Sequence, residues 1–243
     1  MDGGNRAGRT DDDRVDDTQA GDTRTAIMDA TYRALCTQGY ADLTVAAIAG
    51  EFDKSKATIH YHYDTKDDLL AAFLDYLLDR FVDRLSADAE SGPEARVTAI
   101  ADALLFDMDN PDGDRDLHTA LLEIRAQAPH RAAFREQLTA NHTFAEDLLT
   151  EAIADGIDEG VFRAVDPRNT ARLVLATMLG GRVYDLTLDD RDVAADVRTA
   201  LDDVVLEPLR APDGTGTGSS DGPGSPNGSN GSDGSYNPGD ESG

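Results

Sequence analysis

The sequence predicts an all-α fold: a small N-terminal three-helix unit, a larger C-terminal helical domain, and an unstructured segment at each end. Three observations carry this. Apolar residues recur at i, i+3, i+4 and i+7 through most of residues 25–209, the spacing of one helix face. Alternating strand patterns are weak throughout. The joints carry helix punctuation, with Thr44, Ser55 and Thr65 at starts, Gly39 and Gly160 at ends, and Asp166-Pro167 at an N-cap and first turn.

Residues 25–38 place Ile27, Ala30, Ala34 and Leu35 on one face, and Gly39 stops that helix. Thr44 precedes Val45, Ile48, Ala49 and Phe52, a stripe long enough for about two turns. Asp53 and Lys54 turn the chain, and Ser55 opens a second short helix from 56 to about 63. Thr65 with Asp68 reads as a capping box for a long helix reaching to about 89. That helix is apolar over a wide arc (Leu69, Leu70, Phe73, Leu74, Leu77, Leu78, Phe81, Val82 and Leu85), so it is buried on more than one side and shared between two domains. Further helices are expected at 94–108, 115–128, 130–159, 167–184 and 193–209. The expected units are residues 1–21 without structure, 22–75 as the three-helix unit, 76–210 as the helical domain, and 211–243 as a disordered tail. The tail holds ten Gly, seven Ser and four Pro, too little apolar surface to offset its ordering entropy.

Composition narrows the class. The chain has 48 acidic and 22 basic residues, a net charge of −26. Nineteen of the bases are Arg. Such Asp-rich, Lys-poor chemistry resembles that of proteins from salt-accumulating halophiles; a merely very soluble acidic protein is the plainer reading. No stretch reaches the roughly 18 apolar residues of a spanning helix, and the first residues hold no apolar signal core, so no membrane partner is expected and the chain reads as cytoplasmic. The single cysteine, Cys36, excludes an internal disulfide and reads as a small apolar filler.

The charge is not uniform. All three lysines, Lys54, Lys56 and Lys66, fall within thirteen residues, beside His60 and His62. Residues 54–66 carry a local charge of +2 in a strongly acidic chain. A short helix, a tight turn and a second short helix bristling with donors is a helix-turn-helix. Its second helix needs side chains that reach base edges and donors to phosphate around it. Ser55, Lys56, Thr58, His60, Tyr61 and His62 supply them, while Ile59 points back to Ile48 and Ile27. Lys66 opens the next helix, where a lysine gains nothing from the helix dipole, so an external anion is its expected partner.

These residues resemble the TetR family of transcriptional regulators. The matching run is Leu43-Thr44-Val45, Ile48-Ala49, Ser55-Lys56-Ala57-Thr58-Ile59, Tyr61-His62-Tyr63, Lys66 and Leu69, with Gly39-Tyr40 upstream, within residues 24–75. The run departs from the family pattern at Lys54, usually apolar, at His60, usually Tyr, and at Tyr63, usually Phe. Two readings of Lys54 stay open: a phosphate contact, or a residue that keeps the turn solvated. The resemblance implies DNA contacts from Thr44, Lys54, Ser55, Lys56, Ala57, Thr58, His60, Tyr61, His62 and Lys66. It also implies an all-α homodimer whose last two helices form the interface. Leu173, Ala176, Thr177, Gly180 and Tyr184 make one helical stripe, and Val193, Val197, Leu201 and Val204 another. Either stripe could instead face the protein's own core.

The expectation is a sequence-specific, ligand-responsive repressor that binds a palindromic double-stranded DNA operator as a homodimer. Its recognition helices would sit about 34–36 Å apart, and a small, mostly apolar effector would bind between the long helix and the C-terminal helices. The alternative is a helical dimer or partner-binding protein that does not read DNA. No phosphate loop, nucleophile elbow or catalytic carboxylate pair suggests an enzyme, and no cofactor is expected. His60 and His62 cannot chelate one metal from a single helix, since i and i+2 point apart. His118, His130 and His142 read as surface or core residues ahead of ligand-pocket donors, and Glu123 and Arg125 as a solvated face ahead of the alternative that one of them faces the pocket.

Overall fold

The computed structural model describes residues 11–52, 55–86, 92–105, 114–190 and 192–212, with side chains from residue 21 onward. Lys54, Met108, residues 1–10 and the tail beyond residue 212 lie outside the described residues. The described chain is helical, with one isolated antiparallel bridge between Phe162 and Arg210.

The helices are α1 (Asp11–Asp42), α2 (Val45–Gly50), α3 (Lys56–His62), α4 (Lys66–Ser86), α5 (Pro93–Leu105), α6 (Asp114–Gln127), α7 (Ala132–Asp158), α8 (Pro167–Thr187), α9 (Val193–Leu201) and α10 (Glu207–Leu209). α1 starts at Asp11, inside the segment expected to lack structure. Once packed residues nucleate a helix, extending it costs little, and the aspartates of the DDDRVDD run favour its N-terminal end. Ile27, Ala30, Ala34 and Leu35 are fully buried, as their spacing predicts. Gly39, at φ 69° and ψ 176°, kinks the chain where only glycine is comfortable.

The caps follow the sequence closely. Thr44 accepts from the Ala47 N–H at 3.0 Å, a cap that contributes about 1 kcal/mol. Thr65 and Asp68 form the reciprocal box, each accepting from the other's N–H at 3.1 Å. Asp166 accepts from the Asn169 N–H at 2.9 Å, with Pro167 in the first turn. Ser55 differs. It stands at the N-cap of α3 but caps no N–H; its hydroxyl faces that of Thr58 at 3.3 Å.

Two cores form. The first joins Ile27, Leu35, Ile48, Ile59, Leu69 and Phe73 with Leu117, Ala120 and Ile124 of α6 and Phe134 of α7. The second joins Phe81, Ile100, Leu105, Leu149, Ile153, Val174, Met178 and Leu201. α4 feeds both, the first through Leu69–Leu74 and the second through Phe81, which explains its wide apolar arc. The boundary expected at 75/76 therefore falls inside a continuous helix. α6, assigned by the sequence to the second domain, lies along α1 and completes the first core.

The run expected as one helix over 193–209 is broken. Between α9 and α10, Asp202–Leu206 widens into one π-helical turn, the Glu207 N–H reaching the Asp202 carbonyl five residues back. Pro208 is the cause: it has no N–H for the Val204 carbonyl that a continuous α-helix would engage. The chain then folds back, with the Arg163 N–H on Leu209 O and the Ala211 N–H on Val161 O, both at 2.8 Å.

Candidate nucleic-acid interface and ligand cavity

α3 divides cleanly into an inner and an outer face. Ile59 and Tyr63 close onto the first core. Lys56, Ala57, His60 and Tyr61 face outward, and Tyr61 is 86% exposed. Lys56 stands at the first position of a helix, where the dipole disfavours a cation, and it has no ion pair among the described residues. Thr58 and His62 are half-buried flanks, with the His62 ring edge-on to Tyr61 at 5.3 Å. Ser55 is exposed beside them. Thr44 is also exposed, though its hydroxyl is already engaged as a cap.

Lys66 departs from expectation. Its Nζ donates to Leu43 O at 2.6 Å and Tyr40 O at 3.2 Å, and lies 4.6 Å from the centre of the Tyr40 ring. Burial lowers its pKa, with the neighbouring Asp67 opposing. The partner that its position demanded is the chain's own backbone, because the α1–α2 corner leaves carbonyls pointing at the start of α4.

That corner is held from three sides. Glu123 of α6 accepts from the Tyr40 N–H at 3.0 Å. Phe134 of α7 meets the Tyr40 ring edge-on at 6.3 Å. Arg131 pairs with Asp67 of α4 at 2.7 Å. The C-terminal helices thus grip the segment that carries the Thr44 cap. Sequence reading took Glu123 as solvated, because its partner lies 83 residues away. It also missed Arg24, whose guanidinium bonds the Tyr63 phenol at the end of α3; burial raises that phenol's pKa and Arg24 opposes the rise.

A cavity of about 640 Å³ lies among α4, α6, α7 and α8. That volume suits a small-molecule ligand. Its wall is largely apolar, with Leu74, Leu78, Phe81, Leu121, Leu175 and Met178 among its lining. Its charged lining residues are five arginines, Arg80, Arg84, Arg125, Arg172 and Arg182, and no Asp or Glu lines it among the described residues. His118 and His142 also line it, against the expectation that they are plain surface or core residues. Arg182 is oriented by His118 Nδ1 at 3.1 Å and Leu104 O at 3.3 Å. Arg172 bonds Glu146 at 3.0 Å, and Arg168 shares the same carboxylate at 2.5 Å. Hydrogen bonding from Arg172, with Arg168 beside it, holds the Glu146 carboxyl below its usual range.

Residues 27–73 match the family model for bacterial regulatory proteins of the tetR family, and residues 93–208 match that for the C-terminal part of BetI-type transcriptional repressors. A TetR transcription regulator from Haloarcula marismortui is 44% identical, with a TM-score of 0.71, over 78% of this chain and 100% of that one. This chain belongs to the TetR family of transcriptional regulators. It shares its fold with a transcriptional regulator from Saccharomonospora viridis in complex with choline (22% identity, TM-score 0.68, 79% of this chain and 100% of that one). It also shares it with FadR from Bacillus subtilis in complex with stearoyl-CoA (18%, 0.57, 73% and 96%). No curated protein matches the sequence significantly. Among the described residues, no helix of this TetR-family regulator is long and apolar enough to cross a membrane. The acidic, lysine-poor composition accords with a relative from a halophilic archaeon.

The two stripes expected at a dimer interface fare differently. On α8, Leu173 and Tyr184 are more than half exposed, and Thr177 and Gly180 are half-buried between them. Leu188, just beyond, extends this outward apolar stripe. Ala176 sits at its edge and also lines the cavity. On the following segment, Leu201 is buried in the second core and Val197 packs on it, its Cγ1 2.8 Å from where a Cβ on Gly181 would stand. Leu201 and Val197 therefore serve the regulator's own core, because α9 needs one apolar face to dock on α8. Val193 is half-buried, and only Val204 of that stripe, 72% exposed, faces out.

Proposed function

We propose that this TetR-family regulator is a ligand-responsive, homodimeric repressor that reads a palindromic operator through α3, working in the cytoplasm where its DNA lies. One observation carries the DNA reading. In a chain of charge −26, the outward face of α3 presents Lys56, His60 and Tyr61 with no acidic residue among positions 55–63. Lys56, Ala57, His60 and Tyr61 would face base edges, and Ser55, Thr58, His62 and Arg24 the phosphates on either side. Lys54, in the turn, would add a further phosphate contact. Two such helices would enter successive major grooves across a two-fold axis formed by the outward stripe of α8 and Val204.

The cavity is the proposed effector site. α6 lines it with Leu121 and Arg125 on one side and grips Tyr40 through Glu123 on the other. An effector that favours a different placement of α6 would move the α1–α2 corner, and with it α3, by its differential affinity for the two states.

The test is genome-wide DNA occupancy of the tagged protein beside Lys56→Ala. Sharp peaks over a shared palindrome, lost in the variant, are expected. Absence of peaks in both, at normal expression and across growth conditions, would favour a helical dimer that does not read DNA.

A further inference from the structure

The fold alone leaves the charge of the effector open, since similar folds hold a cation, choline, in one case and an acyl thioester of coenzyme A in another. The cavity wall of this chain decides it. With 48 acids in 243 residues, a random lining of 26 residues would hold about five acids; among the described residues this one holds none. Burial does not explain the bias, because Arg is excluded from interiors as strongly as Asp and Glu. Yet five arginines remain.

Their surroundings sharpen the point. Arg172 is neutralised by Glu146. Arg80 lies 5.9 Å from the centre of the Tyr76 ring, and Arg182 is aimed by His118 Nδ1 and Leu104 O. Arg125 of α6 has no ion pair or side-chain hydrogen bond among the described residues, though protein crowds it enough to lower its pKa by burial. It stays a cation nonetheless. Guanidinium groups around an apolar cavity fit one ligand chemistry: an apolar body with an anionic head, bound through charge-assisted, bidentate hydrogen bonds.

Resting on the reading of this cavity as the effector site, we infer that the effector is an anionic amphiphile, a carboxylate or phosphate on an apolar chain, whose head group is held by Arg125. A quaternary ammonium ligand is excluded by the same wall.

Calorimetric titration of the full chain in molar KCl, with decanoate, decyl phosphate, decanol and decyltrimethylammonium below their micellar concentrations, tests this. One or both anions should bind at least about tenfold tighter than decanol, and the cation weakest. The stronger of the two anions identifies the head group. Arg125→Gln should remove most of the anion's advantage over decanol, and Arg125→Lys should retain part of it. Binding of decanol or the cation as tightly as the anions would overturn the anionic assignment while leaving the cavity as a ligand site. Binding of none of the four, by folded protein that still shifts its operator, would overturn both.

Discussion

Lys66→Met separates a structural lysine from a DNA-contacting one. The substitution keeps the stem that packs beside Tyr40 and removes the ammonium. Lost with it are the bonds to Leu43 O at 2.6 Å and Tyr40 O at 3.2 Å, and the contact with the Tyr40 ring. A hydrogen bond from a charged donor contributes about 1.5–3 kcal/mol, and a cation over an exposed ring about 0.5–1. The site is half-buried, so water replaces part of each bond, and the 3.2 Å bond is the weaker of the two. A net loss of about 2 kcal/mol follows. For an ordered region of this size that lowers Tm by about 4–8 °C. Thermal unfolding by circular dichroism in molar KCl reads it, with operator affinity measured well below the lower Tm. Affinity should change little, and its salt dependence should keep the wild-type slope. An unchanged Tm with weaker binding to every sequence and a slope reduced by about one would show that Lys66 leaves the corner for a phosphate, refuting the reasoning.

Gly156→Ala should be more damaging than its size suggests. The new methyl would stand 2.1 Å from the Phe162 ring, which is buried and anchored by its own N–H on Gly156 O; a cost of about 1–3 kcal/mol, seen as a fall in Tm, is expected. Leu173→Asp with Tyr184→Asp should convert a dimer to monomers in sedimentation experiments with little loss of helicity, since both side chains are exposed; Leu201→Asp should unfold the protein instead. Glu146 has a folded pKa below its unfolded value, so its contribution to stability is present above the ordinary carboxylate range near pH 4.3 and is lost as pH falls below it. Glu146→Gln should therefore flatten the acid limb of a Tm-against-pH curve, leaving the variant and wild type closest at the lowest pH.

The fold and the interface were legible in the sequence to different depths. Local signals translated directly: the Thr44 cap, the Thr65–Asp68 box, the Gly39 kink and the inner face of α3 are each set by residues within a few positions of one another. Contacts between distant segments did not. Lys66 was read toward an outside anion because nothing near it in sequence reveals that the carbonyls of Tyr40 and Leu43 converge on it. Stripes at helical spacing show that a face is apolar without showing what covers it, and so Leu201 and Leu173 looked alike. The cavity arginines had no such signature. Arg80 and Arg84 stand one turn apart in a helix that also carries Asp75, Asp79 and Asp83, so they read as part of its solvated face.

One physical rule connects the two surfaces proposed to meet anions. At about 1 M salt the Debye length is near 3 Å, so a cation acts only on what it touches. A diffuse basic surface would gain little under those conditions, whereas acidic residues elsewhere cost little in repulsion. Cations are then worth keeping only where they make direct, partly desolvated contacts. The residues follow that logic. Lys56 stands at the start of α3, Lys66 is bound to two carbonyls, and five arginines line an apolar cavity. The consequence for DNA is specific: affinity should rest on close hydrogen bonds and base contacts, and counterion release should contribute little. The slope of log affinity against log salt should therefore be shallower than that of a basic regulator contacting the same number of phosphates. A slope near −0.9 for each phosphate contacted, measured from low to molar salt, would show instead that long-range attraction survives the −26 charge of the chain.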